Sequence, residues 1–368
     1  MKNYAVNLLT KLLEIYSPSG KEEEISTFLV NEMKNLGFSS WRDEVGNAFG
    51  TAGTSRSIIL LCGHIDTVPG YIPVRLEKGE IYGRGAVDAK ASLAAMLVAS
   101  SLLVKEGFPG EIIIAGLIDE EGKGKGVKHL ISQGITADYA IFGEPSGLDN
   151  ITIAYKGSLQ LKTTCKTKTG HSSAPWLFDN AIEKAYEVWN LIHNIHFTEE
   201  QPESKFYSLT SCITGIRSRS NSSIVPSNCE FNSNFRIPPQ LSPQKVVEAI
   251  KKVIEEYHTH NEGVNIDLLV EDVCPPYEAD KNSLLVKAMR FAIRKNRKKP
   301  VVLYKKTGTG DMNLFGSEIK IPVITYGPGD SHLDHTPHER IGIKEFLNSI
   351  QIIYEGIKRL YYLDSHRR

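Results

Sequence analysis

Three things are missing from this chain, and each absence narrows what it can be. Charge of one sign is not in surplus: 43 Lys and Arg face 43 Asp and Glu, so no global field draws the protein to nucleic acid or to a membrane surface. No apolar run approaches transmembrane length. The opening MKNYAVNLLTKLLEIYS is not a signal peptide either, because Lys and Glu break it into an amphipathic pattern with Ala5, Leu8, Leu9, Leu12 and Leu13 on one face. Cysteine is scarce: five residues, at 62, 165, 212, 229 and 274, odd in number and never in CxxC spacing. That pattern argues against a disulfide framework and a Cys-type zinc site, and for a reducing, cytoplasmic setting. The phosphate-cradling fingerprints of nucleotide enzymes are absent as well, since GKGKGVKH, GRGAVD and GTGDMN all miss the required glycine and lysine spacings.

What is present suits a soluble globular protein of two or three domains, with 41% hydrophobic and 23% charged residues over 368 positions. Ser19 to Glu22 reads as a capping box ahead of a helix bearing Ile25, Phe28, Leu29, Met33 and Leu36, stopped by Gly37. Apolar strands then alternate with helices: SIILLCG, a long buried helix DAKASLAAMLVASSLLVKEG, EIIIAGLID, a short helix GVKHLISQG, and DYAIFG. Strands apolar on both faces indicate a parallel sheet covered on both sides. After residue 153 the pattern changes to polar–apolar alternation, in the order βαββαβ of a ferredoxin-like unit. From about residue 270 the first style resumes with NSLLVKAMRFAIRKN and IPVITYG. The expected architecture is therefore an α/β domain with a mostly parallel sheet, residues 1–153 and 270–368, interrupted by a smaller α+β insertion over residues 154–269.

Ligands of open α/β sheets bind beyond the carboxyl ends of the strands. Each strand of the larger domain delivers an acid or an imidazole there: His64 and Asp66; Asp119, Glu120 and Glu121; Glu144; and Asp330 with His335. Asp88 sits where GRGAVDAK enters the long helix. In a strand, the two-residue spacing of His64 and Asp66 puts both on one face. Singly, these residues have plain structural readings. A His after a strand is more often a hydrogen-bonder than a ligand, Asp88 makes a good helix N-cap, and the acidic triplet suits a solvated loop. Convergence of five segments on one rim changes that, because clustered carboxylates repel one another unless positive charge sits among them.

GHIDTVP, GRGAVDAKASLAA, DEEG, GEP and GHSSAP, in this order, resemble the M20 family of co-catalytic zinc peptidases and amidohydrolases over nearly the whole chain. The resemblance implies a zinc-peptidase-like catalytic domain, with the insertion as lid and dimerisation domain of a homodimer. It implies two zinc ions per subunit, with cobalt able to substitute. His64 and Glu144 would hold one ion, Glu121 and His335 the other, and Asp88 would bridge them. Asp66 would fix the tautomer of His64. Glu120 would be the proton shuttle, His171 would stabilise the oxyanion from the partner subunit, and Asn221 and Arg236 would bind the substrate's carboxylate or reacting carbonyl. YGPGDSHLDHTPHERI and KKTGTGDMNLF look closest to the branch that hydrolyses carrier-protein conjugates in lysine and arginine synthesis. That branch releases lysine or ornithine from the C-terminal glutamate of a small acidic amino-group carrier protein. Acetylornithine deacetylase, succinyl-diaminopimelate desuccinylase or a related metallo-carboxypeptidase is the alternative. Residues 281 to 306 hold ten basic side chains and no acid, which reads either as a solvated face or as a docking strip for an acidic carrier.

Overall fold

The computed structural model describes residues 2–54, 57–197, 204–219 and 222–367. The chain divides into two units, one of Met1–Ala154, Glu278–Lys305 and Gly310–Arg368, the other of Tyr155–Tyr277 and Lys306–Thr309.

In the larger unit the apolar runs become the centre of a nine-stranded sheet. Ile58–His64 lies parallel between Glu111–Leu117 and Tyr139–Phe142, and Val323–Thr325 continues the parallel set beyond Tyr139–Phe142. The flanks run the other way: Ala48–Ala52 and Ser39–Arg42 add an antiparallel hairpin on one side, and Asn150–Tyr155 pairs antiparallel with Val323–Thr325 on the other. The central strands are buried along almost their whole length, as a sheet covered on both faces requires. The helix Lys90–Lys105 is buried on nearly every side. A Cβ on Gly63 would lie 3.0 Å from Cβ of Leu93, so glycine there lets this helix seat directly on the strand that ends in His64. The N-terminal helix Lys2–Glu14 buries Ala5, Leu8, Leu9, Leu12 and Leu13, the face its periodicity predicts.

Two local expectations fail. Ser19 and Glu22 form no capping box: the helix Glu23–Asn35 has no side-chain cap. Ser19 instead donates its hydroxyl to Oδ2 of Asp66 at 2.7 Å, and Glu22 accepts the Gly20 N–H. The Ser19 hydroxyl goes to a carboxylate, a charge-assisted bond, rather than to a helix N–H. Asp88 does not cap the long helix, whose N-cap position is Ala89 and carries no side-chain bond. The sequence also gave no warning of a small three-stranded sheet, in which Arg340–Gly342 pairs with Glu80–Tyr82 and Glu80–Tyr82 with Arg75–Glu77. It ties the chain just after His335 to the chain just before Asp88.

The smaller unit is a four-stranded antiparallel sheet in the order Thr210–Ser218, Asn228–Ile237, Gly157–Lys166, Asn265–Cys274. This is the strand order of a ferredoxin-like βαββαβ unit. Its core joins Leu159, Leu161, Phe231 and Phe235 of the sheet to Trp189 of the helix Ala181–His193 and Ile250 of the helix Pro243–His260. Trp176, Leu177, Tyr186 and Leu191 remain exposed.

Candidate metal centre

The strand Ile58–His64 carries His64 to the carboxyl edge of the sheet, and Asp66 follows as the chain turns off the strand. Nδ1 of His64 lies 2.9 Å from the backbone carbonyl of Asp66. A carbonyl only accepts, so Nδ1 carries a proton, and Nε2 is the nitrogen that would serve as a ligand once the ring is neutral. Nε2 faces Oδ1 of Asp88 at 3.1 Å and Oε1 of Glu144 at 3.6 Å. On the other side Nε2 of His335 lies 3.1 Å from Oδ2 of Asp88 and 3.0 Å from Oε1 of Glu121. Asp88 thus presents one oxygen to each imidazole. Ligand atoms of His64, Asp88 and Glu121 all lie within 4.8 Å of one another.

The tautomer of His64 is set by the backbone of Asp66, while the Asp66 carboxylate, 3.6 Å from Nδ1, has a different occupation. Oδ1 accepts the N–H of Glu120 and Oδ2 the N–H of Glu121, each at 3.0 Å. The acidic triplet therefore splits by role. Asp119, with φ +61, turns the chain and accepts the N–H groups of Lys123 and Lys125. Glu120 and Glu121 are aimed by Asp66.

Electrostatics describe carboxylates crowded around two imidazoles. Burial lifts the Glu120 carboxyl well above the ordinary range, and Glu144 adds to it. Glu121 is raised by burial and by Asp88. Burial opposes the charged form of His64, yet Glu144, Asp66 and Asp88 push its pKa well up. The bond to Asp88 lifts His335 to about 9. Burial works against ionisation of Asp88, but His335 and His64 hold its pKa below the usual carboxylate range. Protons on two imidazoles stand where cations would otherwise neutralise the carboxylates. The donor set is all nitrogen and oxygen, with an imidazole and carboxylates at each end, which fits a pair of divalent ions of the zinc type.

Several buried groups here were not legible from the sequence. Lys90 is buried and donates to the carbonyls of Leu12 and Ile15, at 3.0 and 2.7 Å, which ties the end of the N-terminal helix beneath the rim. Burial lowers its pKa to about 7. Asp311, at the start of the helix Asp311–Glu318, is buried and raised by that burial to about 7. Glu339 is fully buried and binds the loop before Asp88. The only signal for these was their place inside quoted motifs (DAKAS, GTGDMN, TPHER), where motif matching looks past them.

In the smaller unit His171 is exposed. Its Nδ1 accepts the Ser173 N–H at 3.1 Å, which leaves the proton on Nε2 as an outward donor. Arg236 is half-buried on the strand Asn228–Ile237, opposite Thr210 and Ser158. Buried Lys156 donates to the carbonyl of Ser208 at 2.6 Å. Its pKa is lowered to about 8, first by burial and then by the charge of Arg236. Asn221 lies outside the described residues.

The family described as peptidase family M20/M25/M40 matches residues 60–359. A protein of Pyrococcus furiosus, provisionally named a LysW-lysine/LysW-ornithine hydrolase, is 40% identical over 96% of this chain and 97% of its own length. A LysW-lysine/LysW-ornithine hydrolase of Sulfurisphaera tokodaii is 34% identical over 96% of this chain and 94% of its own. Among solved structures, aminopeptidase PepT of Bacillus cereus superposes with TM-score 0.84 at 22% identity, covering 98% of this chain and 99% of that one. A dinuclear metal-binding M20 peptidase of Bacillus subtilis does so with TM-score 0.76 at 14% identity, covering 99% and 98%.

Proposed function

The chain belongs to peptidase family M20/M25/M40, and on that premise we propose that it is a metal-dependent amide hydrolase of lysine and arginine biosynthesis. It releases lysine or ornithine from the C-terminal glutamate of the carrier protein LysW. The observation that carries the substrate is near-full-length likeness to hydrolases of LysW-lysine and LysW-ornithine, at identities up to 40%. The observation that carries the chemistry is Asp88, with one oxygen 3.1 Å from each of two imidazoles.

Two divalent ions, zinc with cobalt as a substitute, fit the donor set. His64 and Glu144 would hold one, Glu121 and His335 the other, with Asp88 a ligand to both. When bound, such ions polarise the scissile carbonyl and lower the pKa of water to ~7. The protein's own groups do the rest. Glu120, whose raised pKa suits a proton carrier working near neutrality, takes a proton from the attacking water and passes it to the departing α-amine. Asp66 holds the backbone of Glu120 and Glu121, so the base and a ligand move together. The Nε2–H of His171 suits donation to the developing oxyanion, and Arg236 and Asn221 suit the carboxylate of the glutamate.

The smaller unit supports assembly as a homodimer. Its sheet has open edge strands, and Trp176, Leu177, Tyr186 and Leu191 are exposed, features that suit a protein contact. A second copy covers them, and His171 acts on the site of the partner. Among the described residues no helix is long and apolar enough to cross a membrane; we place the enzyme in the cytoplasm.

The deciding experiment offers zinc-loaded protein LysW-lysine, LysW-ornithine, acetylornithine and succinyl-diaminopimelate side by side. Higher kcat/KM on the carrier conjugates is the expected result. Faster hydrolysis of acetylornithine or succinyl-diaminopimelate would overturn the carrier assignment.

A further inference from the structure

Two of the proposed metal ligands, Asp88 and His335, come from segments far apart in the chain, and a single buried ion pair stands behind both. Glu339 is fully buried and Arg84 nearly so. Oε2 of Glu339 accepts from Nη1 of Arg84 at 2.8 Å. Its other oxygen, Oε1, accepts three backbone N–H groups, from Gly85 at 3.0 Å, Val87 at 2.9 Å and Asp88 at 3.0 Å. Arg84 also donates to the carbonyl of Gly70, through Nε at 3.0 Å, and to the carbonyl of Thr336, through Nη1 at 3.2 Å. Thr336 is the residue after His335. The carboxylate thus grips the loop up to the backbone of Asp88, and the guanidinium grips the chain beside His335.

A buried ion pair is poor evidence of stabilisation in itself, because desolvation consumes much of the attraction, and replacement by apolar residues is often neutral. The positions of its bonds suggest another purpose. Three N–H donors converging on one oxygen remove the freedom of the 85–88 loop, and charge-assisted bonds to a carboxylate are about twice as strong as neutral ones. The bonds end beside two ligands that must meet the same pair of ions. We infer that Glu339 and Arg84 are positioning residues for the metal centre, setting the spacing between Asp88 and His335 and through it the affinity for metal. The inference rests on the metal reading above.

The test uses the full-length protein and three variants. Glu339→Gln keeps the shape and an accepting oxygen, but loses the charge and turns an amide N–H toward Arg84. Arg84→Lys keeps a positive charge and loses the fork that reaches Gly70 and Thr336. Glu106→Gln, at an exposed ion pair with Lys358 well separated in sequence from every proposed ligand, is the control. Zinc affinity is read by competition with a chromophoric chelator, the thermal midpoint of each metal-free protein is read separately, and kcat and KM are read at saturating zinc. Outer partners of metal ligands are commonly worth 10–100-fold in metal affinity. The expected result is therefore a drop of at least ~10-fold for Glu339→Gln and a smaller drop for Arg84→Lys. Saturating zinc should restore much of kcat with KM near that of the wild type. Wild-type zinc affinity in a folded Glu339→Gln, whatever its thermal midpoint, would show the pair to be structural only. Should Glu339→Gln fail to fold, Arg84→Lys decides: wild-type zinc affinity there overturns the inference. Wild-type protein that binds no zinc would defeat the metal reading instead, and the two failures are distinct.

Discussion

Oδ1 of Asp66 accepts the backbone N–H of Glu120 at 3.0 Å. A residue of one strand end thereby fixes the base delivered by the neighbouring strand. Because the bond is to backbone, its effect on Glu120 survives any change of the Glu120 side chain, which makes that side chain a clean target.

Glu120→Gln should keep the fold and the bound metal while losing most turnover. The change removes a proton carrier and leaves the loop held by Asp66. Loss of a positioned acid–base group costs ~10²–10⁴ in rate. Steady-state kinetics with metal analysis on the same sample checks it; a kcat near wild type would place the shuttle on another group.

Metal analysis of active protein purified without chelator should give two divalent ions per chain. The expectation follows from Asp88 facing His64 with one oxygen and His335 with the other. Fully active enzyme with one ion, or none, is incompatible with it.

Loading should release protons. Metal ligation needs neutral imidazoles, and in the metal-free protein His335 titrates at about 9 and His64 well above its ordinary value. Near pH 7 both rings therefore give up a proton, and apparent zinc affinity rises with pH through the His335 value of about 9. The stability of the metal-free protein should run the other way. A raised imidazole pKa contributes stability fully below the unfolded value of ~6.5 and loses it as pH rises through about 9. Calorimetry in buffers of different ionisation enthalpy measures the release; zinc binding at pH 7 with no proton release contradicts the scheme.

Docking of the carrier should depend on salt, through a smaller strip than the sequence suggests. Of the ten basic residues, Lys295 pairs with Glu355, Arg297 and Lys299 with Asp149, and Lys305 with Glu278. Lys287, Arg294 and Lys298 stay exposed and outside any ion pair among the described residues. They follow one stripe of the helix Leu284–Arg297 and its C-cap. Charge reversal at these three should lower kcat/KM for carrier-linked lysine at low salt and leave a short γ-glutamyl-lysine substrate unaffected, since rim charges act mainly on association rate. The difference should fade toward 0.15 M salt, where the Debye length is ~8 Å. Equal responses from both substrates would remove the strip from the docking surface.

Mixing inactive His171→Ala with inactive Glu120→Gln should regenerate activity once subunits exchange, because one site of each mixed dimer then combines Glu120 of the His171→Ala copy with His171 of the Glu120→Gln copy, while the other site stays dead. Exchange demonstrated independently, with no recovered activity, would rule out action in trans.

The parts of this molecule that sequence made legible are those governed by periodicity and residue type. Ile58–His64, Glu111–Leu117 and Lys90–Lys105 follow from apolar patterning, and His64, Asp88, Glu121 and His335 from chemistry gathered at strand ends. What escaped depends on distant partners. Ser19 and Glu22 look like a cap until Asp66 and Gly20 compete for them. Asp66 reads as a mate for His64, and its carboxylate does lie 3.6 Å from Nδ1; what the sequence hides is that the same carboxylate also accepts the Glu120 and Glu121 N–H groups. Glu339, in a polar run, reads as surface, and only the 85–88 loop reveals it as fully buried. Arg297 reads as a free charge until Asp149 arrives from across the sequence.

The bonds from Glu339 to the loop of Asp88 span about 250 positions of a 368-residue chain. During synthesis the amino-terminal strands emerge with His64, Asp88, Glu120, Glu121 and Glu144 long before His335 and Glu339 leave the ribosome, and domains tend to fold as they emerge. A nascent chain therefore holds the carboxylates and one imidazole, without the second imidazole or the clamp behind Asp88. On the proposed metal reading, selective capture waits for the last stretch of translation. A chain truncated before that stretch is an incomplete chelator, however much of its sheet has formed.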